Sequence, residues 1–63
     1  MQVEIISHEH LAIDADLEVV PRIGESFLGS TKDGDAVSGT VSDIEHCYNA
    51  AKGKHSIRVF LKP

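Results

Sequence analysis

Apolar and polar residues alternate along most of this chain with the two-residue period of half-buried β-strands. From Met1 to Ser7, Val3 and Ile5 share one face and Gln2 and Glu4 the other, which predicts a first strand. Ile6 breaks that pattern by placing an apolar side chain on the polar face. From His55 to Leu61 the alternation is cleanest, with Ile57, Val59 and Leu61 inward and Ser56, Arg58 and Phe60 outward; Phe60 is the second apolar residue out of phase. Between them lies a long segment in which Val37, Gly39 and Val41 hold one phase and Ile44, His46 and Tyr48 the other. A slip of one residue turns a strand's apolar side chains outward, so the phase change predicts a β-bulge near Ser42-Asp43 that bends the strand.

Turn chemistry punctuates the pattern. Pro21 fixes its own φ and extends Val20, and Gly24 supplies backbone freedom, so Val20-Pro21-Arg22-Ile23-Gly24-Glu25-Ser26-Phe27 predicts a sharp corner followed by a strand over Ser26 to Lys32. Asp33-Gly34 predicts a type I′ hairpin turn, and Asn49 to Lys54 a second hairpin loop with Gly53 near its end. After His8-Glu9-His10, the carboxylates of Asp14 and Asp16 suit a turn better than a strand centre, with a short strand following at Leu17 to Val20. Leu11, Ala15, Glu18 and Val19 give no apolar stripe at helical spacing, which argues against a helix there.

The expected fold is therefore all-β: one domain over residues 1–63, about five short strands forming a small, strongly bent antiparallel sheet or closing into a barrel. A chain of 63 residues buries only about 60% of the surface that its unfolded form exposes, so its core is small. The single Cys47 excludes an internal disulfide, and regular strand pairing or self-association has to supply what is missing.

A net charge of −4 with scattered basic residues opposes nucleic acids and anionic membranes, whose recognition needs clustered Lys and Arg. No basic segment leads into an apolar run, and no long apolar stretch occurs, so neither a secretory signal nor a membrane span is expected; the default is a cytoplasmic protein with a reduced thiol.

The Pro21-Arg22-Ile23-Gly24-Glu25 turn, the Asp33-Gly34 hairpin, Val41-Ser42-Asp43-Ile44-Glu45-His46 and the closing segment His55-Ser56-Ile57-Arg58-Val59-Phe60-Leu61 together resemble a loose group of small bacterial and phage β-proteins. That group recurrently carries Pro-Arg-x-Gly-Asp/Glu, a glycine-containing hairpin and Val-x-x-Val-x-His before a short final strand. The resemblance spans about the last two-thirds of the chain and implies an SH3-like or related small barrel. It implies no activity, and the chain departs from it at Ala36 and Gly39, where larger residues are usual.

Candidate chemistry is sparse. His8 and His10, two apart on a strand, would point the same way and could bind one metal, with a further ligand from His46, Cys47, His55 or a carboxylate. The competing reading is two solvated histidines at a strand end. His46 and Cys47 are adjacent, so on a strand they face opposite sides and do not form a thiol–imidazole couple; His46 reads as a partly covered, hydrogen-bonded side chain and Cys47 as a small filler. Asp33-Gly34-Asp35 lacks the ligand spacing of a calcium loop, and Arg22 has only its charge to suggest an anionic partner.

No catalytic or cofactor-binding residue is expected, and an enzyme is disfavoured. The expected role is a binding or assembly module that forms a homo-oligomer or meets a protein partner by edge-strand addition, with Ile6 and Phe60 as interface candidates. The alternatives are a metal- or small-ligand-binding protein using His8 and His10, and an enzyme whose site is shared between subunits.

Overall fold

A computed structural model describes all 63 residues and contains strands only. The strands are β1 (Gln2–Ile6), β2 (Ala12–Asp16), β3 (Ser26–Ser30), β4 (Ala36–Asn49) and β5 (Lys54–Lys62). They form one sheet in the order β2-β1-β5-β4-β3. The expectation of a small, bent all-β sheet holds, with two refinements. Neighbours pair antiparallel except β1 with β5, which run parallel with Val3 beside Ile57 and Ile6 beside Phe60, so the sheet is mixed. The sheet is also open, since β2 and β3 form two edges that do not pair with each other.

The inner face carries the core: Val3, Ile5, Val37, Val41, Ile57, Val59 and Leu61, with Ile13, Phe27 and Ile44 packed against them. The alternation read for β1 and β5 is seen directly in this burial. Only 8 of 63 residues are buried, so few side chains separate this fold from its unfolded state.

β4 bends where its phase changes. Val41 lies opposite Leu61 and Asp43 opposite Phe60, leaving Ser42 as the extra residue of a bulge. The Ser42 hydroxyl donates to the Phe60 carbonyl oxygen at 3.1 Å. Gly39 assists the bend: its φ is +152°, and a Cβ there would lie 2.4 Å from the Lys62 carbonyl oxygen. The corner before β3 docks on the same bend, because Gly24 N–H donates to the Val41 carbonyl and Val41 N–H donates to the Glu25 carbonyl. Glu25 N–H closes a turn onto the Arg22 carbonyl, and the φ of +93° at Gly24 is the value its third residue needs in a type II turn. The two bending devices read from sequence are thus hydrogen-bonded to each other.

Four sequence-based expectations are corrected. Residues 12 to 16 form β2, because Ile13 and Ala15 alternate with outward Asp14 and Asp16; the carboxylates sit on the wet face and do not break the strand. Leu17 to Val20 is irregular and carries no strand, and the strand expected over Ser26 to Lys32 ends at Ser30. Asp33-Gly34 is not a two-residue type I′ turn. Gly34 N–H donates to the Thr31 carbonyl and Thr31 N–H to the Asp35 carbonyl, which makes Lys32-Asp33-Gly34 a three-residue loop ending in Gly34 at φ +89°.

The β1–β2 hairpin repeats this loop design. His10 N–H donates to the Ser7 carbonyl, Ser7 N–H donates to the Leu11 carbonyl, and His10 takes φ +66° where the other loop has glycine. In each loop a hydroxyl also caps the turn: Ser7 Oγ accepts from Leu11 N–H and Thr31 Oγ1 from Asp35 N–H.

Candidate functional site

The most distinctive feature is the free edge of β3. In an antiparallel ladder, the backbone groups of alternate residues face the partner strand. Glu25 and Thr31 bond towards β4, so the same parity directs Phe27 and Gly29 to β4 and leaves the N–H and C=O groups of Ser26, Leu28 and Ser30 unpaired at the edge. The segment Ser26-Phe27-Leu28-Gly29-Ser30 carries no charge and no proline, and Leu28 projects from the outer face with 79% of its surface exposed.

The other edge differs. Leu11 and Leu17 bond towards β1, so the free backbone groups of β2 belong to Ala12, Asp14 and Asp16, two of which are carboxylates. Charged residues on an edge oppose further strand addition. A cleft of about 640 Å³ lies between the two edges, lined by Ile13, Ala15, Phe27 and Gly29 and by Asp14 and Lys32. Ile13 and the Phe27 ring approach each other over Gly29, where a Cβ would meet them at 3.2 and 3.0 Å.

The outer face presents rows of side chains in register. Glu4 on β1, Arg58 on β5 and Glu45 on β4 lie side by side, with Arg58 Nε 3.2 Å from Glu4 Oε1 and Nη1 3.3 Å from Glu45 Oε1. All three are substantially exposed, so the ion pairs contribute at most about 1 kcal/mol each. Cys47 donates its S–H to the same Glu45 oxygen at 3.4 Å; that hydrogen bond, with partial desolvation and the carboxylate's charge, raises the thiol's pKa above its ordinary value. A raised pKa makes the thiol less nucleophilic at neutral pH.

The interface candidates Ile6 and Phe60 are register partners on this face, and both are half-buried. More exposed apolar side chains lie elsewhere, at Leu28, Val19, Ile23 and Tyr48. The signal that marks Leu28 is the uncharged pentapeptide around it. Periodicity does not single Leu28 out, because it stands on the outer phase of a strand already weakened by Gly29.

His8 and His10 do not share a strand face. They occupy the three-residue β1–β2 loop, where His8 Nε2 is 3.5 Å from Glu9 Oε1. His46 and Cys47 do point to opposite faces as expected. His46, however, is exposed rather than partly covered, and its partner is His55, with Nδ1 3.0 Å from Nε2. No three His, Cys, Asp or Glu side chains converge as a metal-binding group. Arg22 makes no ion pair; its N–H donates to Glu25 Oε1 at 2.6 Å within the turn. No helix is long and apolar enough to cross a membrane.

Compared with known protein families, characterised proteins and solved structures, the chain matches none.

Proposed function

We propose that this chain is a self-associating assembly module whose contact is the free edge of β3, paired with β3 of a second copy about a two-fold axis through Leu28. The observation that carries this reading is the contrast between the edges: β3 is uncharged, while β2 presents Asp14 and Asp16. Pairing β2 with β2 would set carboxylates against each other, which is unfavourable, whereas β3 with β3 brings no like charges together.

The side chains suit the symmetric register. With Leu28 opposite the partner's Leu28, Ser26 falls opposite the partner's Ser30 and Phe27 opposite the partner's Gly29, so no two bulky inner-face residues are register partners and the two Phe27 residues are diagonal neighbours. Leu28, exposed in the single chain, gains a cross-strand apolar neighbour. The backbone groups of Ser26, Leu28 and Ser30 gain partners, and two five-stranded sheets become one continuous sheet. A small core with few buried residues favours the same outcome, since association adds buried area that the single chain lacks.

Sedimentation equilibrium tests this reading. The wild-type chain is expected to dimerise at high micromolar concentration. Leu28→Pro is expected to remain monomeric, because it deletes an outward N–H that makes no bond to β4 and is tolerated at an edge. A wild-type monomer throughout that range, or a Leu28→Pro variant that dimerises as well as wild type, overturns it.

A further inference from the structure

We propose that His46 and His55 form a two-imidazole binding site for a borderline divalent transition-metal ion such as Zn²⁺ or Ni²⁺. This inference does not depend on the β3 edge.

The site is built by the register of the β4–β5 hairpin. His46 lies opposite Ile57, and Tyr48 opposite His55, so the two histidines are diagonal neighbours on one face of a paired ladder. Their Nδ1 and Nε2 atoms are 3.0 Å apart, their ring centroids 5.2 Å apart and their planes inclined by only 14°. The centroids are thus farther apart than the nitrogens by about two ring radii. The rings therefore lie end to end in nearly one plane, with nitrogen directed at nitrogen.

That spacing suits a shared ion. Two imidazole nitrogens each about 2.0–2.1 Å from one metal are separated by about 2.9 Å at a right angle and about 3.4 Å at the tetrahedral angle. The observed 3.0 Å falls within this range. Binding requires the donor ring to carry its proton on its other nitrogen, and each ring to turn by about 35–45° so that the two lone pairs meet at the ion. Both side chains are exposed, which leaves room for the rotation.

The donor set defines the class of ion. Glu45 and Cys47 project from the opposite face, where they engage Arg58 and each other. The site thus offers two neutral nitrogens and no carboxylate, a combination that suits Zn²⁺, Ni²⁺ or Cu²⁺ and does not suit Ca²⁺ or Mg²⁺. The remaining coordination positions are open to water or to an exogenous ligand.

Calorimetric titration of the untagged full chain with ZnCl₂ and NiSO₄, with MgCl₂ as control, tests the proposal. Saturable binding of one Zn²⁺ or Ni²⁺ per chain is expected, with no response to Mg²⁺. His46→Ala and His55→Ala are each expected to weaken binding by more than about tenfold, since losing a ligand exceeds the effect of losing an outer-shell partner. The double variant His8→Ala/His10→Ala should bind as wild type does. Imidazole resonances of His46 and His55 should shift on titration, which locates the ion even if an alanine variant is unstable. Absence of saturable binding overturns the proposal. So does binding that survives both single substitutions, disappears with the His8/His10 pair, or leaves the His46 and His55 resonances unmoved.

Discussion

Single residues set the strain and the reactivity of this molecule. His10 occupies the left-handed region at φ +66°, in a loop whose counterpart uses Gly34. A side chain in that region costs about 1–2 kcal/mol, partly offset by the greater flexibility of an unfolded glycine. His10→Gly should therefore stabilise the fold by about 0.5–1 kcal/mol in urea unfolding. Gly39 is the opposite case. Gly39→Ala sets a Cβ against the Lys62 carbonyl at a φ that L-residues rarely adopt, and should destabilise by about 2–4 kcal/mol. That is a large share of what so small a domain possesses. Cys47 bears on chemistry. Its hydrogen bond to Glu45 favours the protonated thiol, so less thiolate is present at a given pH and alkylation should gain speed only at higher pH than for the unfolded chain. Glu45→Gln should move that pH–rate profile back down; an unchanged profile would show that the carboxylate is not responsible.

At the scale of elements, the bent β4 is the organising part. Ser42 is the residue without an opposite number, and removing it leaves Val41, Asp43 and Ile44 in unbroken alternation against β5. Deletion of Ser42 should preserve that register while straightening the strand, so that Val37 loses its cover. The expected loss is about 1.5–3 kcal/mol, the worth of burying one such side chain, and equal stability in urea would show that the bulge does not direct the fold. The bulge was legible because two apolar phases met within one segment. The inward faces of β1 and β5 were legible for the same reason. β2 was not, because the turn preference of Asp14 and Asp16 competes with the alternation of Ile13 and Ala15 that marks a half-wet strand. The parallel pairing of β1 with β5 joins residues more than fifty positions apart, as Val3 beside Ile57 shows, and no local signal carries it. The His46–His55 pair lay within reach of sequence reasoning: a hairpin loop at Ala50 to Gly53 sets Tyr48 against His55 and so brings His46 diagonal to it.

For the whole molecule, two facts meet. The core is small, and the sheet stops at two edges of different character. Acidic side chains guard one edge, and nothing charged guards the other. An assembly that adds strands at β3 alone closes after two copies, because each copy offers a single unguarded edge and the two-fold contact uses both. Its stability should consequently rise with protein concentration, and the unfolding midpoint of the wild type, unlike that of Leu28→Pro, should depend on it. Amide hydrogen exchange, compared at low and high protein concentration, addresses the contact residue by residue. The amides of Ser26, Leu28 and Ser30 should become protected as concentration rises, while those of Ala12, Asp14 and Asp16 continue to exchange rapidly. Rapid exchange of Ser26, Leu28 and Ser30 at every concentration, or protection that arises at β2 instead, would contradict the account.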